Sequence, residues 1–526
     1  MSTIYYFPTH QFYILLVGFV FFVSSIVSFQ VYNKDRLSII LLLFSGLFIC
    51  SFMALLDPFL NTWDEQFHAL VAKNCINNPF KPLLYLNHVL PFDYRNWTAN
   101  EIWLHKQPLF IWQIALSLKL FGLNEFAVRI PSLIMISAIP VFIYRMGKIA
   151  INNTVGFYAA LLFSSSYYVH ELCTGFPPSD HNDIAFLFYI TASIWAYLEF
   201  ENSQKKYWLL LIGVFSGCAI LVKWLVGLLV FFGWSLSILF LKQKRNSLNS
   251  YKEIAISLFV CLSVFIPWQV YILNVFPNES NYEFSLNSKH FFTVIENHGG
   301  DYLFYFKNLN LLYGGGQLVP YVVLLSLFLF YKNLNQTKYK VAFFSNLIFI
   351  YLFFSLAATK MISFCFIVSP IIFLSLSTLI YKFITIINLK TQKKIIIKNS
   401  IICGVLIFIS WANLNLRRIA YKHTLLITAN DNDKREEKIT DSKFIKSLCT
   451  ILPDKDFVIF NCKKEKNIPI MFYSSFIAYD RILNNEEYNI LTTKNTKIAV
   501  IDNGSLPQFI LEDKTIIKIK SPNKTW

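Results

Sequence analysis

Charge is scarce in this 526-residue sequence: Asp, Glu, Lys and Arg make up 15% of it, against about 25% in an ordinary soluble domain. That deficit excludes a disordered chain, a coiled coil and a nucleic-acid arm. Metal-type cysteine spacing is absent too. The nine cysteines show no C-x-x-C pair for zinc or redox chemistry, and Cys50, Cys218, Cys261, Cys365 and Cys403 lie inside apolar runs. No internal repeat or low-complexity tract occurs, which removes the simplest sequence sign of an inverted-repeat transporter. The opening MSTIYYFPTHQ lacks Lys, Arg and a small-residue cleavage site, so it reads as the approach to a first crossing and not as a signal peptide.

What the sequence has instead is hydrophobic length. Hydrophobic residues make up 55% and mean hydropathy is +0.48, the composition of a polytopic membrane protein. With about 20 apolar residues needed per crossing, the sequence predicts about twelve, near 11–31, 37–57, 126–145, 154–172, 182–200, 207–222, 224–241, 253–273, 318–331, 341–358, 361–381 and 396–413. The stretch 207–241 is divided in two because Lys223 interrupts it, and a lone charge in lipid is costly.

The net charge of +16, from 47 basic and 31 acidic residues, resolves as topology. Alternate connectors are short and basic: those with Lys34/Arg36, Arg145/Lys148, Lys205/Lys206, Lys242/Lys244/Arg245/Lys252, Lys332/Lys338/Lys340 and Lys382/Lys390/Lys393/Lys394/Lys398. Basic connectors face the cytoplasm. The longer loops 58–125 and 274–317 then face outward, as does the N-terminus. Residues 1–413 are expected to form the transmembrane domain. Beyond them, 414–526 mixes charge with short β-rich runs (DFVIF, TKIAVID, TIIKIK) and a helical TDSKFIKSLCTIL, which predicts a small α/β domain on the outer side. There Cys449 and Cys462 are either a disulfide or two free thiols.

Candidate chemistry gathers at outer helix ends. Asp64 and Glu65 follow the second crossing beside Trp63, a headgroup-level residue. They offer a general base, or merely the acidic start of a helix. His105 and Lys106 precede Pro108, which suits a first helical turn, and cations beside a helix N-terminus make a phosphate site. The stretch from Leu109 to Gly122 is too short to span and is expected in the interface. Arg129 opens the third crossing, as a phosphate-binding or snorkelling residue. Asp180, His181 and Asp183 sit in the polar CTGFPPSDHND connector, where Asx and Pro also simply make turns. Lys223 and Lys360 end crossings on the less basic side and call for a carboxylate or lipid phosphate partner. Glu283, His290, Glu296, His298 and Asp301 share the long outer loop, where substrate shaping is favoured and a divalent cation is admitted.

The order of these motifs, namely Asp-Glu, Lys-x-Pro-Leu, Phe-Gly-x-x-Glu-Phe-Ala-x-Arg-x-Pro-Ser, the Asp connector, Pro-Trp and Thr-Lys-Met, resembles the GT-C superfamily of membrane glycosyltransferases. The likeness is to the bacterial branch related to protein O-mannosyltransferases and lipid A aminoarabinose transferases, and it spans roughly residues 55–380. It departs from the pattern at Gln107, where a first proline is usual, and by one extra crossing before the acidic motif.

The resemblance implies an all-α polytopic membrane fold with interfacial helices in the first outer loop, together with the C-terminal α/β domain. It implies an inverting transfer of sugar from a polyprenyl-phosphate donor to an acceptor hydroxyl on protein, lipid or glycan. Asp64 then looks like the catalytic carboxylate, Lys106 and Lys360 like phosphate-contacting lysines, and Glu65, His105, Arg129, Asp183, Glu283 and His290 like substrate-binding residues. No cofactor is required and a divalent metal is admitted. Partners are the lipid-linked donor, an acceptor of open class and membrane lipids, with no nucleic acid. The setting is the inner membrane, with the C-terminal domain periplasmic or extracellular. The alternative is a transporter or flippase of lipid-linked glycans.

Overall fold

The computed structural model describes residues 9–174, 180–386, 392–419, 435–454, 456–463, 465–522 and 526. Among them, nine helical stretches are long and apolar enough to cross a membrane, and the chain is a multi-pass membrane protein. All twelve predicted segments are helical. The lower number arises because Asn153–Ser164 and Tyr167–Cys173 are separated by a break, Val319–Asn333 is short, and Tyr207–Phe240 is one apolar stretch.

That last stretch is nevertheless two helices, as Lys223 predicts. Tyr207–Lys223 ends at Trp224, a short 3-10 turn follows, and Leu229–Phe240 resumes. Lys223 pairs with Asp183 at the start of the Asn182–Ser203 helix, while Lys244, just past Phe240, pairs with Glu201 at its end. The two helices therefore run in opposite directions.

The chain packs as two compact units. The first lies within Met1–Leu56, Ser132–Val275 and Glu283–Ala420 and holds most of the membrane helices. Its Leu248–Val275 helix shows why these sequences suit lipid. Ile256, Phe259, Ile266, Val270 and Leu273 are exposed on one face, while Ser257, Cys261, Phe265, Trp268 and Ile272 are buried on the other. Two apolar faces at helical spacing, one against protein and one outward, fit a solvent that is itself apolar.

The buried side meets Tyr207–Lys223 through Gly213 and Gly217 in a G-x-x-x-G spacing. A Cβ at Gly213 would stand 2.4 Å from the Ser257 carbonyl oxygen, so the helices approach closer than any side chain allows. Elsewhere in this unit Phe29 stacks on Phe157 at 4.1 Å, within a cluster that includes Ile26, Leu42 and Leu406.

Among the described residues, ion pairs tie five of the six basic connectors together at one end of this unit. Lys148 meets Asp35, Arg145 meets Glu199, Lys244 and Lys338 meet Glu201, and Lys206 meets Glu253. These connectors thus gather around shared carboxylates.

The second unit lies within Asp57–Pro131, Phe276–Tyr282 and Tyr421–Trp526, so the 58–125 loop packs with the C-terminal region. Its sheet has four parallel strands, β1 (Phe457–Phe460), β2 (Ile477–Ala478), β3 (Lys497–Asp502) and β4 (Ile517–Lys520), in the order β2-β1-β3-β4. Parallel strands need helical crossovers, supplied here by Asn467–Tyr473, Asn485–Thr493 and Gln508–Glu512. The expected strands and the Arg435–Ile451 helix are present. β2, two residues long, gives too little pattern to be read from sequence.

Lys73 fastens the loop to this domain by donating to the carbonyls of Met471 and Ser474, and desolvation lowers its ammonium pKa to about 8. Tyr85 donates to the Ala478 carbonyl at 3.1 Å and stacks on Tyr479. Cys449 is exposed and Cys462 buried, both as free thiols, so the disulfide alternative is not realised.

The Gly217 contact gives a direct test. Gly217→Leu puts a Cβ 2.6 Å from Val264 Cβ and 2.9 Å from the Cys261 carbonyl oxygen. An overpacked position costs about 1–3 kcal/mol, so thermal unfolding in detergent should shift downward. Gly404→Leu, where nothing lies within 4 Å, should leave the transition in place.

Candidate active site

Two adjacent carboxylates of the second unit have opposite surroundings. The Asp64–Cys75 helix begins at Asp64, and the 100° step between successive helical residues turns Glu65 inward. Glu65 and Arg129 have fully buried side chains. The guanidinium grips the carboxylate with two bonds, Nε to Oε1 at 2.7 Å and Nη2 to Oε2 at 2.9 Å. It also donates to the carbonyls of Asp57 at 2.8 Å and Phe59 at 2.7 Å, and the Asn61 backbone N–H donates to Glu65 Oε2 at 2.6 Å. One arginine thus staples the chain from Asp57 to Glu65.

Asp64 faces the other way. Its side chain is 30% exposed and its carboxylate lies 3.0 Å from Lys106 Nζ, with the lysine side chain 18% exposed. Lys106 is brought there by short pairing of 82–84 with 101–103, through the Leu84 N–H to Glu101 O and Trp103 N–H to Pro82 O bonds. It lies two residues before the Pro108–Phe121 helix, with only the Gln107 N-cap between them, and the proline occupies the first turn as expected. His105 beside it stacks flat on Trp97, with centroids 4.4 Å apart and planes 7° apart.

Between the staple and the carboxylate sits Trp63, at φ 65° and ψ −124°. This backbone region suits glycine, and holding a larger residue in it costs about 1–3 kcal/mol. The indole is 50% exposed. The strain is sustained because Arg129 fixes the chain on both sides of it.

In the first unit, Asp183 is buried at the start of its helix and pairs with Lys223, whose ammonium also lies 5.1 Å from the Phe364 ring centroid. Lys360 is buried, and its Nζ donates to the Ala357 carbonyl. Among the described residues no carboxylate lies within 4.0 Å of that Nζ. Burial lowers its pKa, opposed by the Asp301 carboxylate. The outer loop straps the segment leading to it. The N–H groups of Ala358, Thr359 and Lys360 donate to the carbonyls of Phe291, His290 and His298 at 2.9, 3.0 and 2.8 Å, and Gly300 packs on the Lys360 stem.

The His290 carbonyl thus takes part in this strap, while Glu283 is buried. Asp301 is exposed and pairs with Lys307, which holds its carboxyl below the ordinary carboxylate range. Among the described residues, Glu283, His290, Glu296, His298 and Asp301 do not bring three ligand atoms together for a cation.

Residues 105–271 match the family described as dolichyl-phosphate-mannose-protein mannosyltransferase. Three solved structures are similar over most of the chain. ArnT from Cupriavidus metallidurans bound to undecaprenyl phosphate has a TM-score of 0.61 at 13% identity, covering 86% of this chain and 88% of that one. Its apo state gives 0.60 at 13% identity, covering 87% and 88%. The archaeal oligosaccharyltransferase AglB from Archaeoglobus fulgidus, in complex with an inhibitory peptide and a dolichol-phosphate, gives 0.52 at 11% identity, covering 87% and 69%. The fold is the one seen in ArnT and AglB. No curated protein matches by sequence.

Within this fold the residues singled out from sequence fall into separate groups. Asp64, Lys106 and His105 belong to one surface region, Glu65 and Arg129 lie beneath it, and Asp183 pairs with Lys223. The matched family segment includes His105, Lys106, Arg129 and Asp183 but begins after Asp64. Sequence reading missed the Glu65–Arg129 pair. Its signal was present: an arginine in the first turns of an apolar helix demands an acidic partner. The stack of His105 on Trp97 had no signal, because seven mostly irregular residues separate the two.

The opposite surroundings predict opposite mutational costs. Glu65→Gln leaves a buried guanidinium without its counter-charge, and breaking such a pair costs about 3–5 kcal/mol. Asp64→Asn removes a partly exposed pair worth about 0–1 kcal/mol. Thermal unfolding of the two variants side by side should show a large loss for the first and almost none for the second.

Proposed function

We propose that the chain is an inverting glycosyltransferase that takes a sugar from a polyprenyl-phosphate donor at the outer face of the cytoplasmic membrane. An acceptor hydroxyl attacks the anomeric carbon, the bond from that carbon to the phosphate oxygen breaks, and polyprenyl phosphate leaves. Asp64 takes the hydroxyl proton. Lys106 meets the negative charge that grows on the departing phosphate; in the first unit, Lys360 is proposed as a phosphate-binding cation in its own right. The observation that carries this reading is the contrast between the neighbours: Glu65 is consumed by Arg129, while Asp64 is held at the surface beside a lysine.

The Asp64–Lys106 contact adds a consequence that the residue types alone do not give. A base and a phosphate-binding cation are expected on opposite sides of the sugar carbon, yet here they touch. A donor phosphate therefore competes with Asp64 for one ammonium, and its binding releases the carboxylate to act as a base. Glu65 and Arg129 serve as positioning residues in this scheme, and Asp183 with Lys223 as a structural pair. Placement of the charged residues at helix ends favours surface chemistry over transport, which usually needs ionisable groups near the midplane.

General-base help is typically worth 10²–10⁴-fold. Purified protein given undecaprenyl-phosphate sugars and an acceptor should release undecaprenyl phosphate, and Asp64→Asn should slow that release by about this factor. Equal release from both proteins would defeat the assignment.

Sidedness has its own readout. Cys449 is exposed in the C-terminal domain, whereas the other eight cysteines are buried or half-buried. A membrane-impermeant maleimide added outside spheroplasts should label wild type and not Cys449→Ser. Labelling only after lysis would reverse the orientation.

A further inference from the structure

The region around Asp64 is aromatic as well as charged. Trp63 adjoins it in sequence, its ring centroid 6.3 Å from that of Trp97, and His105 lies flat on Trp97. The group rests on buried rings: Phe67 is 4.9 Å from Trp97 and stacks on Trp103 at 6.4 Å. The Trp103 indole N–H donates to the Trp97 carbonyl at 3.0 Å. The platform is thus held from below.

We propose that Trp63 and His105, the latter lying on Trp97 and the former tilted 42° to it, form a shelf that stacks the C–H face of a sugar ring beside the Asp64 carboxylate. This rests on the glycosyltransferase reading and extends it to how the ring is held. Three observations converge. The first is shape: flat polarizable rings suit the weakly polar face of a pyranose, while its hydroxyl edge remains free to reach the charged pair. The second is position: His105 and Trp63 are each one residue from Lys106 and Asp64, so a ring on the shelf brings its carbon–oxygen bonds to the acid and the cation. The third is backbone. Trp63 occupies a conformation suited to glycine, and a half-exposed indole gains too little from burial to explain its retention there. A headgroup anchor needs no particular φ and does not account for it.

The stacked ring belongs either to the donor or to an acceptor saccharide, and binding measurements separate the two. Trp63→Gly and Trp97→Leu are compared with wild type in nanodiscs, using undecaprenyl-phosphate mannose, glucose, galactose and arabinose, sugar-free undecaprenyl phosphate, and the corresponding free methyl glycosides. For a donor ring, affinity for the preferred sugar-lipid falls about tenfold in each variant, roughly 1.4 kcal/mol, while that for sugar-free lipid changes less than twofold. For an acceptor ring, the loss appears with the methyl glycosides alone. Trp63→Gly should also melt no lower than wild type, because glycine adopts that φ without strain.

Equal weakening of sugar-bearing and sugar-free lipid in both variants would make the indoles membrane anchors and overturn the shelf. So would unchanged binding of every probe. A wild type that binds none of the lipids would instead overturn the glycosyltransferase reading and the shelf with it.

Discussion

The bidentate pair between Arg129 and Glu65 is the constraint on which the second unit depends. A guanidinium and a carboxylate taken wholly out of water are stable only when nearly every donor and acceptor is satisfied. Here that is achieved with the carbonyls of Asp57 and Phe59 and the N–H of Asn61. The same bonds dictate the path of the chain from residue 57 to 65. They sustain a tryptophan in a strained conformation, and they present Asp64 outward because its neighbour is held inward. A buried ion pair is weak evidence for net stability, but it is good evidence for a fixed geometry. Fixed geometry is what the roles proposed for Asp64 as base and Lys106 as phosphate-binding cation require.

The membrane unit solves a different problem. Its helices have little hydrophobic reason to associate in lipid, so they rely on close approach and on polar partners. Gly213 and Gly217 let two backbones nearly touch. Carboxylates at Asp35, Glu199, Glu201 and Glu253 collect the lysines and arginines of successive connectors. The other end holds Lys223 and Lys360. There Lys223 is committed to Asp183, whereas Lys360 is held by a carbonyl and a loop strap.

Much of this was legible in the sequence because membrane solvation writes itself in long runs. The helix break at Lys223, the proline-started helix at 108, and the strands at 457–460, 497–502 and 517–520 all follow from local pattern. The fates of Asp64 and Glu65 did not. Residues adjacent in sequence on a helix end differ by a 100° rotation, and which one turns inward was decided by Arg129, 64 positions away. Likewise Glu283 and His290 carry chemistry-bearing side chains in sequence. In the structure one is buried and the other contributes a backbone carbonyl to the strap on Thr359. Pattern reports burial averaged over a face, and it is silent about pairings between irregular loops.

A reaction that bypasses the proton isolates the role of Asp64 most directly. Azide attacks an anomeric carbon as an anion and has no proton to surrender, so it tests donor binding and departure without a base. With undecaprenyl-phosphate sugar and azide, Asp64→Asn should form glycosyl azide of inverted configuration at close to the wild-type rate, while its transfer to a hydroxyl acceptor collapses. Loss of azide transfer in parallel with hydroxyl transfer would contradict Asp64 as the proton acceptor.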